Sequence, residues 1–369
     1  MRSCAAVLNR WMEIKMQELD FDRLRPIGLS LAMARAIAVA REDTSGAPLR
    51  VTEVHRETLR VHDGLAEFTL RVMPRLQRAL VEDGDALAVG DWLLADRDRH
   101  GDWWAHVRIA PQTQLARRDM HGMPQVFASN VDSALLVMGL DADFSPRRLE
   151  RYLALVQGSG VEPVVVLSKA DLCAADIEQR LDTLRLRLPP GLNIVAINAL
   201  DGAAAAQLAP WLEPGQTLVM LGSSGAGKST LTNTLLGASV QDTGGTRQGD
   251  GRGRHTTTAR SLHLLPGGAC VIDTPGVRTL RPATDVAGAG FDDVTTLARA
   301  CRFRDCRHNG EPGCAVREGV LPDRLANYKK LEREHRRDTM TALERHEQLG
   351  VWKARGRAAR ARMRDKQGV

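Results

Sequence analysis

Three short nucleotide-binding motifs stand in this chain in an unusual order, and that order limits the possible folds more than any other feature. Ser168-Lys169-Ala170-Asp171 comes first, Gly222-Ser223-Ser224-Gly225-Ala226-Gly227-Lys228-Ser229-Thr230 follows, and Asp273-Thr274-Pro275-Gly276 comes last. In the usual arrangement the glycine-rich phosphate loop leads and the base-reading Asn/Thr-Lys-x-Asp element trails. Here the cycle is cut and rejoined, which points to a circularly permuted nucleotide-binding domain.

The phosphate loop lies between an apolar run, Thr217–Leu221, and a helical pattern, Lys228–Leu236, which is the context such a loop requires. Its glycines let backbone N–H groups turn toward phosphate oxygens, and the following helix adds its positive end. Lys228 is expected to reach the β- and γ-phosphates and the Ser229 hydroxyl to ligate magnesium. Asp273 ends the buried run Ala269–Ile272, where its carboxylate can hold the same ion through water. The Gly276 N–H is free to sense the γ-phosphate.

Ser168–Asp171 follows the apolar run Val164–Leu167, so it sits at a strand's C-terminal end, where open α/β sheets bind ligands. A carboxylate at Asp171 accepts from guanine N1–H and the exocyclic amine. Adenine offers neither, and leaving a buried acceptor unmade costs about 1–3 kcal/mol. Guanine is therefore favoured, and the chain reads as a GTPase more than an ATP-using enzyme. The Lys169 stem can lie over the base, Ser168 departs from the usual Asn or Thr, and Ile197-Asn198-Ala199 weakly matches the loop that flanks guanine.

Arg252-Gly253-Arg254-His255-Thr256-Thr257-Thr258 lies between the phosphate loop and Asp273–Gly276 in a glycine-rich stretch. Thr257 or Thr258 can close over metal and γ-phosphate, as in order–disorder switches. Val277 stands where many GTPases carry a water-orienting glutamine, so another group must act, or hydrolysis stays slow until a partner assists. His255 is the candidate, and a surface or partner-contacting role is the alternative.

Cys301, Cys306, His308 and Cys314 offer three thiolates and an imidazole within one polar segment, matching a closed structural zinc site rather than a catalytic one. Cys4, Cys173 and Cys270 show no such spacing and read as ordinary thiols. The arginines among the ligands, Arg302, Arg304 and Arg307, suit phosphate contacts.

The rest of the chain frames these motifs. From Leu49 to Ile109 short alternating strands (Leu59/Val61, Phe68/Leu70/Val72, Trp92/Leu94, Trp104/Val107/Ile109) suggest a small closed barrel. Arg71, Arg75, Arg78, Arg97 and Arg99 sit at its polar ends. Trp103 and Trp104 are candidates for base stacking, with barrel core as the alternative for each. Residues 131–280 alternate strands (Ser133–Leu140, Val161–Leu167, Ile194–Asn198, Thr217–Leu221, Cys270–Asp273) with helices (Arg147–Gln157, Asp176–Leu188, Lys228–Leu236), the pattern of a parallel sheet. A charged helix is expected around Leu325–Gln348. Residues 1–45 are helix-prone, with Met12 or Met16 as alternative starts.

Of the residues 43% are apolar, enough for real cores, and no run approaches the length of a membrane span. With no signal-like block at the N-terminus, a cytoplasmic location without membrane is expected. A net charge of +6 leans toward a polyanionic partner. The arginine-rich stretch from Lys353 to Lys366 leans the same way, unless it merely solubilises.

Taken together these motifs resemble the ribosome small-subunit-dependent GTPase A family (RsgA/YjeQ). The resemblance runs from about Leu49 to Leu331. It rests most on Gly253–Thr258, Gly222–Thr230, Asp273–Gly276, Cys301–Cys306 with Gly310–Cys314, and Arg147–Leu153. It implies a multidomain chain: an all-β OB-fold barrel, an α/β P-loop GTPase domain in permuted order, and a mainly helical zinc-binding domain. The divisions expected are 1–45 extension, 46–115 barrel, 116–284 GTPase, 285–349 zinc domain and 350–369 basic tail. It also implies GTP hydrolysis in late small-subunit maturation, stimulated by the small ribosomal subunit and its rRNA, with magnesium and one zinc ion; a monomer is expected. Two other readings stay open: an rRNA-binding module that senses GTP or GDP with little turnover, and a permuted GTPase of large-subunit assembly. The passage from Asp273–Gly276 through Arg278–Asp292 suggests a route by which GTP sets the zinc domain's orientation.

Overall fold

The computed structural model describes residues 19–118, 123–237, 260–274, 290–340 and 344. Two sheet systems meet in it edge to edge. Strands β1 (Ala47–Val54), β2 (Leu59–His62), β3 (Glu67–Val72), β4 (Trp92–Arg97) and β5 (Trp103–Arg108) pair in the order β1-β2-β3-β5-β4, and β4 returns to β1. That closes a five-stranded OB-fold barrel. Alternation puts Leu49, Val51, Leu59, Val61, Leu70, Leu93, Ala95 and Ala105 inside it.

Strand β4 is buried on both faces over its first four residues. Its second face, Trp92 and Leu94, is covered by helix α1 (Leu31–Asp43) through Met33, Ala34 and Ile37. Ser30 caps α1 by accepting from the Met33 N–H at 3.1 Å. Helix α2 (Pro74–Glu82) bridges β3 and β4; none of its residues is fully buried, and Leu76 packs against the barrel core. Trp92 is therefore core, whereas Trp103 and Trp104 are only half-buried.

A hairpin of β6 (Gln114–Arg118) and β7 (Pro124–Ser129), not expected from the sequence, leads to the α/β half. There β8 (Ser133–Gly139), α3 (Pro146–Gln157), β9 (Glu162–Ser168), α4 (Ile177–Arg185), β10 (Asn193–Ala196), α5 (Ala203–Gln207), β11 (Thr217–Gly222), α6 (Lys228–Leu236), β12 (Ser261–Leu264) and β13 (Cys270–Asp273) follow in turn. The strands lie in the order β10-β9-β8-β11-β13-β12, all parallel except β12. Every residue of β8 is buried: Leu136 and Met138 face α3 and α4, while Leu135 and Val137 face α5 and α6. This two-sided burial explains its unbroken apolar run.

Strand β12, also unforeseen, pairs with β1 and makes one continuous sheet of barrel and α/β half. Arg50 locks the junction. Fully buried, it donates to the carbonyls of Ile27, Gly28 and Asn130 and to Thr217 Oγ1, tying three segments together. Only glycine fits at Gly28: its φ is +86°, and a Cβ would come 2.1 Å from the Arg50 guanidinium.

The C-terminal region is helical, with α7 (Asp292–Ala298), α8 (Ala315–Gly319) and α9 (Pro322–Thr339) around Phe291, Val294, Val316, Val320 and Leu331. Ala154 of α3 joins that core, so the region docks on α3. Helix α9 begins at Pro322, a favoured first helical residue, three positions earlier than the sequence suggested.

Candidate nucleotide and metal sites

The sheet changes direction between β8 and β11, since the chain passes outward to β9 and β10 on one side and to β13 on the other. Such a switch point leaves a crevice at the C-terminal strand ends. Ser168 ends β9, Gly222 ends β11 and Asp273 ends β13, so the topology gathers the three separated motifs at one edge.

In the phosphate loop, Gly222 packs directly on β8, where a Cβ would come 2.3 Å from the Val137 carbonyl. Gly225 and Gly227 have φ of +84° and +92°, the left-handed region that turns N–H groups inward before α6 begins. Lys228 is 6% exposed and donates from Nζ to the carbonyls of Gly222 at 3.0 Å and Ser223 at 2.8 Å. Burial lowers its pKa, and the charges of Asp273 and Asp143 oppose that shift. Asp273 is fully buried, and beside it the Thr274 hydroxyl donates to the Met220 carbonyl at 2.6 Å.

The base-reading loop is bonded to the phosphate loop. Ser168 is buried and its hydroxyl donates to the Ala226 carbonyl at 2.6 Å. A serine in place of Asn or Thr thus still links the two loops. Lys169 has a left-handed backbone, φ +61°, and its ammonium donates to Asp141 Oδ2 at 2.7 Å. Asp171 is exposed, with no hydrogen-bond partner among the described residues. Ile197-Asn198-Ala199 lies alongside: the Ala170 N–H donates to the Ile197 carbonyl at 3.1 Å, and Thr234 on α6 donates to the Ala199 carbonyl at 2.6 Å.

Sequence reasoning missed Asp141 and Asp143, in the turn after β8. Ser223 Oγ lies 2.7 Å from both Asp143 carboxylate oxygens. Burial by itself pushes the Asp141 carboxyl upward, and Lys169 with the Asp143 N–H more than reverses this, leaving it below the ordinary value. The available signal was an Asp-x-Asp at the C-terminal end of a parallel strand.

Cys301, Cys306, His308 and Cys314 come together as a group able to hold a metal ion, all ligand atoms within 4.8 Å of one another. Cys301 Sγ is 3.9 Å from Cys314 Sγ, and His308 Nδ1 lies 3.6, 3.5 and 3.3 Å from Cys301, Cys306 and Cys314. A tetrahedron with the usual metal–ligand lengths has edges of about 3.8 Å between sulfurs and about 3.5 Å from sulfur to nitrogen. The donor set fits. Glu311 braces the loop by accepting from the N–H groups of Arg307 and Gly310, and backbone hydrogen bonds hold its carboxyl down to about 2.

On the barrel, Trp103 stacks on Phe68 at 5.2 Å with Arg97 over its ring at 5.0 Å, while Arg71 lies 5.8 Å from Trp104. His255, Thr257, Thr258, Gly276 and Val277 lie outside the described residues, as do most of Arg278–Asp292 and the basic tail.

Residues 109–282 match the family model described as RsgA GTPase. A Small ribosomal subunit biogenesis GTPase RsgA from Xanthomonas oryzae pv. oryzae (strain MAFF 311018) is 48% identical over 299 residues, 78% of this chain and 80% of that protein. Its counterpart from Xanthomonas campestris pv. campestris (strain B100) is 47% identical over the same shares. Among solved structures, YjeQ from Thermotoga maritima aligns with a TM-score of 0.57 at 24% identity, covering 78% of this chain and 98% of that one. YloQ, described as a circularly permuted GTPase, aligns with a TM-score of 0.55 at 20% identity, covering 80% and 96%. At such identities the structural likeness bears on the fold alone.

Proposed function

The chain belongs to the RsgA GTPase family, and from that premise and the site we infer that it hydrolyses GTP to GDP and phosphate during maturation of the small ribosomal subunit. The observation that carries the reading is the bond from Ser168 to the Ala226 carbonyl, which sets a base-reading loop against a phosphate loop in a single crevice. Asp171 at its edge suits guanine. The curated relatives carry small-subunit names, which favours that subunit over the large one.

In this reading the loop N–H groups and the positive end of α6 bind the phosphates, and Lys228 neutralises charge that builds on them. Magnesium, held by Ser229 and Asp273, would supply further neutralisation of the phosphate oxygens. We assign γ-phosphate closure to Thr257 or Thr258, a γ-phosphate-sensing N–H to Gly276 and orientation of the attacking water to His255. For the Cys301–Cys314 group we propose one zinc ion, structural because four protein ligands leave no open position. The basic, aromatic barrel face and the knuckle arginines suit rRNA, and we take the chain to act as a cytoplasmic monomer. The barrel, GTPase and zinc divisions at 46–115, 116–284 and 285–349 are our own.

Val277 favours a second reading, a guanine-nucleotide sensor that binds rRNA and turns over little. The test is phosphate release by the full chain, alone and with purified small or large subunits, with ATP as control. Turnover of GTP but not ATP, raised by small subunits only, is expected. Tight guanine-nucleotide binding with no stimulated turnover would instead establish the sensor.

A further inference from the structure

Both loops of the nucleotide crevice are bonded to one short turn, Asp141–Ser145, between β8 and α3. Asp141 Oδ2 accepts from Lys169 Nζ at 2.7 Å, on the base side. Asp143 accepts from Ser223 Oγ at 2.7 Å, on the phosphate side. We propose that Asp143 and Asp141 are positioning residues, which set the phosphate loop and the base-reading loop at the separation a guanine nucleotide requires. The proposal rests on the guanine-nucleotide reading of the crevice and names residues which that reading leaves unused.

The turn is built to hold its shape. The Asp143 N–H donates to Asp141 Oδ1 at 3.1 Å, and the Gly139 N–H donates to Asp143 Oδ2 at 3.2 Å. Arg148, in the first turn of α3, bonds both the carboxylate and the carbonyl of Asp143. From α4, Arg180 bonds the carbonyls of Leu140 and Asp141 and lies over the Phe144 ring at 5.2 Å. Gly139 makes room, since a Cβ there would come 2.5 Å from Asp141 Oδ1. The Leu140 N–H donates to the Ser168 carbonyl at 2.9 Å, so the turn and the base-reading loop are also joined by backbone.

Charge argues for geometry over electrostatics. A bare carboxylate beside a phosphate loop repels the ligand. Each of these two is met by a cation, Asp143 by Arg148 and Asp141 by Lys169. What remains is directional: Ser223 is the second residue of the loop, and fixing its side chain fixes the peptide plane entering the phosphate cradle. A charge-assisted hydrogen bond of this kind is worth enough to matter for affinity.

The test compares GDP binding, by calorimetry, and the KM and kcat for GTP in the full chain and in Asp143→Ala, Asp143→Asn, Ser223→Ala and the double alanine variant. We expect each alanine to weaken GDP binding about 10-fold and to raise KM more than it lowers kcat. The double variant should be no worse than either single, because both remove the same bond. Asp143→Asn should restore most of the affinity, since its amide oxygen still accepts from Ser223. Losses that add in the double variant, GDP affinity unchanged in Asp143→Ala, or failure of asparagine to rescue would each overturn the positioning role. An unmodified chain that binds neither GDP nor GTP would overturn the functional reading beneath it instead.

Discussion

Glu150 is the residue whose loss should most disturb the seating of the C-terminal helices. It lies on α3 with its side chain fully buried. Its Oε1 accepts from Arg187 Nε at 2.8 Å and lies 3.3 Å from Arg324 Nη1, and its Oε2 accepts from Asn327 Nδ2 at 2.6 Å. Arg147 and Arg151, on the same face, reach Asp323 and Glu334 of α9. Glu150→Ala takes one carboxylate partner from each of two guanidinium groups that are 3% and 10% exposed. Breaking a buried pair from one side costs about 3–5 kcal/mol. Here each arginine keeps a second acid: Arg324 pairs with Asp293 at 2.7 Å and Arg187 with Asp323 at 2.8 Å. The lower end, about 3 kcal/mol, is the better expectation, on the order of 100-fold in a local opening constant. Several packed regions make a single unfolding free energy ill-defined, so hydrogen exchange is the assay. Amides of α3 and α9 should lose protection by that factor while those of β8 and β11 keep theirs. Unchanged exchange in α9, or a loss spread evenly over the chain, would refute the argument.

Other expectations follow from the same geometry. Ser168→Ala leaves the buried Ala226 carbonyl without its donor, so GDP affinity measured by a fluorescent analogue should fall about 10-fold, at the low end of the 1–3 kcal/mol for a stranded acceptor; an unchanged affinity would separate the two loops energetically. Lys228 has its pKa lowered from 10.5 by burial, and bound phosphates restore the charged form. On the alkaline limb below 10.5, GTP binding should therefore take up a proton and weaken as pH rises. Calorimetry in buffers of differing ionisation enthalpy reads that uptake, and none at any alkaline pH would contradict it. Elemental analysis should find a single zinc in the purified chain and much less after Cys314→Ser; a full complement in that variant would remove Cys314 from the ligand set.

What the sequence made legible was mostly local. The phosphate loop, its strand and its helix lie within one short stretch, and Lys228–Leu236 and Cys270–Asp273 fall where their patterns put them. The Cys/His spacing likewise carries its own geometry. Helix α2 was missed although Leu76 packs on the barrel core, and β12 because four residues give too little alternation to read. Asp141 and Asp143 were missed for a different reason. An acidic pair at a strand end reads as a solvated turn until folding brings Ser223, 80 residues away, onto it. The Glu150 clasp is equally non-local, since Arg187 and Arg324 come from separate elements. Arg50 shows the limit of burial rules: an arginine in a strand reads as surface, yet the carbonyls of Ile27, Gly28 and Asn130 and the Thr217 hydroxyl accept from its two terminal nitrogens inside.

One sedimentation experiment would weigh the whole reading. The full chain is mixed with small or large ribosomal subunits in the presence of a non-hydrolysable GTP analogue, GDP or no nucleotide, and the bound fraction is measured. Retention on small subunits with the GTP analogue, release with GDP and no retention on large subunits is the expected result. Equal binding to both subunits, or binding indifferent to nucleotide, would contradict a GTPase that acts on the small subunit through this crevice.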